Sequence, residues 1–171
     1  MAPSLETLSQ LDREAFRRVL GGVFEQSPWV ADRAFDRRPF ATLEALHAAM
    51  VAVVRSASRD EQLALICAHP DLAGKAARGG AMSAASVAEQ ASAGLDRLTD
   101  EEYERFERLN AAYREKFGFP FIIAVRRHDK HAILAAFEAR LRNDLDVEVQ
   151  AALAQIAAIA RLRLDALAKE R

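Results

Sequence analysis

Residues 117–126 read FGFPFIIAVR, and the folding of this stretch decides whether the chain is all-helical or mixed. A glycine and a proline lead into a run of apolar and small residues. The run is too short for an amphipathic helix, and no second strand-like run exists to pair with it. A proline within it also argues against a central strand. The stretch is therefore expected to be an extended, largely buried segment in an all-α protein. Its backbone N–H and C=O groups must then find partners. Either a bound polar ligand or the packing of nearby helices and waters supplies them.

Helix signals surround this segment on both sides. Upstream, Thr99 and Glu102 form a capping box ahead of DEEYERFERLNAAYREKF, and Gly118 stands where a C-terminal glycine cap belongs. Downstream, KHAILAAFEARLR resumes the helical pattern. A last helix is expected from Val147, with Val149, Leu153, Ile156, Ala160, Leu164 and Leu167 at steps of three and four. Towards the N-terminus, SAASVAEQASAGLDRL closes near Gly94, and Gly74, Gly79 and Gly80 mark a loop around KAARGG. Ser58 and Glu61 box the start of SRDEQLALICAH, and Thr42 caps TLEALHAAMVAVVRSA. Ser27-Pro28 reads as a helix start for WVADRAF, which runs until Pro39. Ser9 stands ahead of LDREAFRRVLGGVF, where Leu11, Phe16, Val19, Leu20 and Phe24 share one face. No repeat or long linker divides the chain, so a single domain over residues 1–171, of about eight helices, is expected.

Composition narrows the function classes. The chain is 51% hydrophobic and 29% charged, as in ordinary soluble proteins. Its net charge of -1 gives no support to a nucleic-acid or polybasic membrane surface. A single cysteine, Cys67, allows no intrachain disulfide and suits a reducing, cytoplasmic setting. The N-terminal MAPSLETLSQ lacks signal-peptide character, no apolar run is long enough for a membrane helix, and ALAKER is no peroxisomal address.

Four places can carry chemistry. In CAHPDLAG (67–74), His69 ends an apolar helical run just before Pro70. It is either a residue complementing the helix C-terminus or an acid/base group held at a helix end. In S-V-A-E-Q (86–90), Ser86, Glu89 and Gln90 are spaced to converge over one patch among alanines; a solvated polar face is the alternative. The FPFIIAV segment is the third. The fourth is Arg163 on the last helix, which either lays its stem over the core or aims its fork at a carboxylate. His128 and His131 flank Asp129 without a clear third ligand, so a helix-start charge cluster is expected there and no metal. His47 reads as partly buried structure.

Taken in order, HPDLAG, S-x-x-E-Q-x-x-A-G-L and LN-x-x-Y-x-x-KFGFPFIIAVR resemble the 2-oxo-4-hydroxy-4-carboxy-5-ureidoimidazoline (OHCU) decarboxylases of the urate pathway. FEQSPWVADRAF and an arginine-bearing last helix extend the likeness over nearly the full chain. Arg127 departs from it, since a glycine is common after AVR. The resemblance implies an all-α, cofactor-free and usually homodimeric enzyme that decarboxylates OHCU to (S)-allantoin, with no nucleic-acid or membrane partner. It implies His69 as catalytic acid/base and Pro70 as a pocket wall. Ser86, Val87, Ala88, Glu89 and Gln90 would bind ureido and ring polar atoms, with Glu89 orienting His69 or sharing its proton. Phe121, Ile122, Ile123, Ala124 and Val125 would hold the ring through backbone groups. Arg163 matches the carboxylate-pairing arginine, with Arg161 as its neighbour. A helical binding module around HPDLAG and another cofactor-free lyase acting on ureido acids are the rival readings.

Overall fold

The computed structural model describes residues 4–74, 80 and 82–169. Among them are nine α-helices, two 3-10 turns and no strand. The helices are α1 (Leu5–Gln10), α2 (Arg13–Leu20), α3 (Trp29–Ala34), α4 (Leu43–Arg55), α5 (Arg59–Cys67), α6 (Ala84–Ser92), α7 (Asp100–Phe117), α8 (Lys130–Arg140) and α9 (Leu145–Lys169). The turns are Phe35–Arg37 and Val125–Arg127. The all-α expectation is borne out. The helix beyond the expected number is α1. The chain divides into two compact units, one ending at Ala68 and resuming at Ala157, the other spanning His69–Ile156.

In the first unit α3 packs on α2 and α4 around Phe16, Leu20, Val30, Ala34, Leu46 and Met50, all fully buried. The Arg38 guanidinium donates to the carbonyls of Ser9 (3.0 Å) and Leu11 (2.8 Å), which closes off the α1–α2 turn. Thr42 and Ser58 cap α4 and α5 as expected, the latter in a full capping box with Glu61. Two expected helix starts are corrected. Ser9 lies inside α1 and donates back to Leu5 O, as serines within helices do, so Asp12 caps α2 instead. Ser27 caps nothing with its side chain, because its buried hydroxyl donates to Glu25 O. The α2 helix also stops at Leu20, short of Phe24. A Cβ at Gly21 would come within 2.5 Å of Arg17 O, and the chain turns there. His47 is partly buried, its Nε2 2.7 Å from Ala157 O, as a structural histidine should be. On α9, Arg163 is buried and donates to Glu25 (2.8 Å) and to Gly22 O (3.3 Å). Arg161 lies more open, paired with Glu44 and Asp165.

In the second unit α7 is the backbone of the packing. Thr99 and Glu102 form both halves of its capping box, and Gly118 ends it at φ 79°. Its inward face carries Phe106, Asn110, Tyr113 and Phe117, all buried at steps of three and four. The FPFIIAV segment runs extended along this face, with no strand among the described residues to join. Phe121 stacks on Phe137 of α8 at 3.9 Å, and Tyr113 meets both rings edge-on. Every residue from Phe121 to Val125 is buried. The extended run is shorter than the expected 117–126, since Phe117 still belongs to α7 and Val125 already begins a 3-10 turn. Asp129 caps α8 by accepting from Ala132 N at 2.8 Å, so the HDKH cluster does serve as a helix start. The last helix begins at Leu145, two residues before the expected Val147. Gly74 and Gly80 lie in non-helical backbone, while Lys75–Gly79 of the expected loop are outside the described residues. No helix among the described residues is long and apolar enough to cross a membrane.

Candidate active site

The second unit brings together three of the four singled-out places. The α5 helix closes at Cys67, Ala68 caps it, and His69 follows with only 7% of its surface exposed. An imidazole that closed off from water is not a solvated partner of the helix dipole, whose influence fades within the last turn. Beyond it, Pro70 to Gly74 form a tight turn in which Ala73 takes φ 52°, uncommon for a residue with a Cβ.

Side chains from two helices fasten this turn. Gln90 of α6 accepts from Ala73 N (2.9 Å) through Oε1 and donates through Nε2 to Asp71 O (3.2 Å). Asn110 of α7 donates to Leu72 O at 2.8 Å. Arg114, one turn further on, donates to the Asp71 carboxylate at 2.9 Å. The family resemblance implied a ligand for Gln90; in the fold its amide also clamps the histidine turn.

The α6 helix is capped by Ser83, whose hydroxyl accepts from Ser86 N. Its S-V-A-E-Q run divides cleanly. Ser86, Glu89 and Gln90 face inward at 4%, 8% and 5% exposure, so Glu89 does not belong to a solvated face. Val87 and Ala88 point outward; Val87 is 46% exposed and, with Ala73 and Gln90, borders a recess of about 180 Å3. Neither His69 nor Glu89 lines that recess.

The third wall is the extended segment, whose 3-10 turn packs against α6. Its backbone is partly satisfied by side chains. Ala124 N donates to Gln155 Oε1 (3.0 Å), and Ile122 O accepts from Arg140 Nη1 (2.6 Å). Between them, no hydrogen bond among the described residues uses the Ile123 N–H or C=O. Arg140 is itself held by Glu148, which is wholly buried and also accepts from Asn143 and from the Tyr113 hydroxyl. Burial pushes the Glu148 carboxyl up, but the hydrogen bonds from Arg140, Tyr113 and Asn143 outweigh it and hold the group below the usual carboxylate range. Burial and the same carboxylate drive the Tyr113 hydroxyl well above its ordinary value, so it stays protonated. Sequence reasoning missed Glu148, Arg140 and Gln155. The only sequence signal near them was an acidic first turn in α9.

The site therefore offers a buried imidazole, a buried carboxylate and inward hydroxyl and amide groups beside an extended backbone. Such a set can move a proton to or from a small polar molecule held in fixed orientation.

Comparison with known proteins points to one family. The family model for OHCU decarboxylase matches residues 9–165. A 2-oxo-4-hydroxy-4-carboxy-5-ureidoimidazoline decarboxylase of Haloferax volcanii is 45% identical over 161 residues, covering 94% of each chain. The uric acid degradation bifunctional protein PucL of Bacillus subtilis is 44% identical over 94% of this chain and 32% of its own length. Among solved structures, a crystal structure of (S)-allantoin synthase superposes with a TM-score of 0.77 at 36% identity. That match covers 96% of this chain and 54% of that one, so the chain spans about half its length.

Proposed function

The chain belongs to the OHCU decarboxylase family, and we propose that it removes carbon dioxide from OHCU to give (S)-allantoin, the closing step of urate-to-allantoin conversion. The observation that carries this reading is the buried presentation of His69 on a turn fastened by Gln90, with Glu89 buried on the same helix as that clamp.

The chemistry needs an acid/base group and no external electron sink. The departing carboxylate sits on a carbon next to a ring imine. As the C–C bond breaks, its electron pair moves into the imine, whose nitrogen takes a proton, and carbon dioxide leaves. The enol that remains becomes a carbonyl by losing its hydroxyl proton, while the neighbouring carbon gains one. That last proton must arrive on one face to give a single enantiomer. A fixed imidazole at His69 delivers it; water would reach both faces of a planar intermediate. Help of this kind is worth roughly 10²–10⁴-fold, about 3–5 kcal/mol. Orientation and exclusion of water from the carboxylate account for the remainder.

Glu89 orients His69 or shares its proton. Pro70 and the Ser86–Gln90 run border the ureido group and ring. Within residues 121–125 the peptide groups left without a protein partner among the described residues, those of Ile123 included, are assigned to the ring; Ile122 O and Ala124 N are already taken. The family resemblance gives the substrate carboxylate to Arg163, with Arg161 as the alternative. We place the enzyme in the cytoplasm as a cofactor-free homodimer with one catalytic domain per chain. Incubating the protein with freshly generated OHCU and following carbon dioxide release tests the activity. Release well above the protein-free rate supports it; a rate equal to that control rules it out.

A further inference from the structure

Two walls of the candidate site hang from one face of α7. Asn110 and Tyr113 are buried there, three residues apart. Asn110 reaches the histidine turn, and Tyr113 reaches the extended segment through two further residues. We infer that this face of α7 sets the spacing between His69 and Ile123, with Asn110 and Tyr113 as positioning residues of the reaction. The inference rests on the decarboxylase reading.

Asn110 has one bond to explain its presence in a core. Its amide nitrogen donates to Leu72 O at 2.8 Å, while its buried Oδ1 has no hydrogen-bond partner among the described residues. A buried acceptor left unmade is costly, and a leucine would fill the same space without that cost. What asparagine adds is the donor that holds the turn three residues after His69.

Tyr113 begins a relay. Its hydroxyl donates to Glu148, Glu148 takes Arg140 Nη2 at 2.9 Å, and Arg140 Nη1 donates onward to Ile122 O at 2.6 Å. The guanidinium also lies 4.4 Å over the Phe121 ring, which fixes its plane. Because the tyrosine stays protonated, the direction of this relay is fixed. The carbonyl at its end belongs to the peptide whose N–H is that of Ile123. A helix is a more accurate mount than a loop, and misplacement by about 1 Å costs on the order of 10²-fold in rate.

The two arms predict opposite kinetic signatures, which a merely structural role would not produce. Asn110→Ala is expected to lower kcat roughly 10–100-fold per folded molecule with (S)-allantoin binding near wild type, because the proton donor is misplaced. Tyr113→Phe keeps the ring and removes one hydroxyl. It is expected to raise KM and the Kd for (S)-allantoin about tenfold with kcat nearly kept, the effect of loosening a binding contact. If both variants lose only melting temperature, or if both change kcat and KM alike, the inference is overturned. The His69 imidazole resonances in NMR give a readout free of turnover. They should shift in Asn110→Ala and stay in place in Tyr113→Phe; resonances unmoved in both contradict the inference. A wild-type protein that fails to decarboxylate OHCU sinks the functional reading instead, and the NMR comparison still decides the positioning.

Discussion

His69 and Glu89 are the residues to which the proposed chemistry is assigned, and each can be probed without disturbing the packing much. His69→Asn keeps a polar group of similar size and removes the proton carrier. Turnover should fall about 10²–10⁴-fold, while the melting temperature stays near wild type. A protein that melts early but turns over normally per folded molecule would return His69 to a structural role. Glu89→Gln preserves shape and loses charge, so kcat should fall more than KM rises; no change in either would leave Glu89 outside the reaction. Both residues were legible because short motifs surround them. Gln90's clamp on the histidine turn was not, since it spans 17 and 19 residues and relies on Ala73 at φ 52°. Nor was Glu148. A carboxylate in the first turn of a helix ordinarily complements the dipole from the surface, and its burial depends on Tyr113, 35 residues away.

Helix boundaries were readable wherever one short-range interaction set them. Thr42, Ser58 and Thr99 each accept from the backbone three residues on, and that spacing is visible in sequence. Ser9 and Ser27 were misread because a carbonyl nearby, Leu5 O or Glu25 O, competes for the hydroxyl. Gly118 was read correctly for a conformational reason alone. Its φ of 79° belongs to the left-handed region, and a Cβ there would meet nothing within 4 Å. Gly118→Ala should therefore cost about 1–2 kcal/mol of unfolding free energy, seen as a lower denaturant midpoint with an unchanged slope. A neutral result would mean that α7 ends differently in solution. The extended character of FPFIIAV was legible from its length and its glycine and proline. Its anchors were not, because Arg140 and Gln155 lie on other helices.

For the whole molecule, fold class followed from what the sequence lacks as much as from what it has: one apolar run without a partner strand, among capped helical stretches. An expected acid sensitivity of the molecule rests on a residue the sequence hid. Glu148 has a depressed pKa when folded, so its contribution to stability is complete above its unfolded pKa, near 4.3, and fades as pH falls through the lower folded value. Glu148→Gln should cost roughly 3–5 kcal/mol at neutral pH, because Arg140 then stays largely buried without its counter-charge. The difference from wild type should shrink below about pH 4, where protonation does the same damage. Denaturant titrations across a pH series test this, and a gap that stays constant down to pH 2 would contradict it. The measurement that bears most directly on the central claim is circular dichroism during turnover of freshly generated OHCU, with wild-type protein, with His69→Ala and with no protein. Rapid growth of an (S)-allantoin signal in the wild type alone is the predicted result; slow decay without optical activity in all three would contradict it.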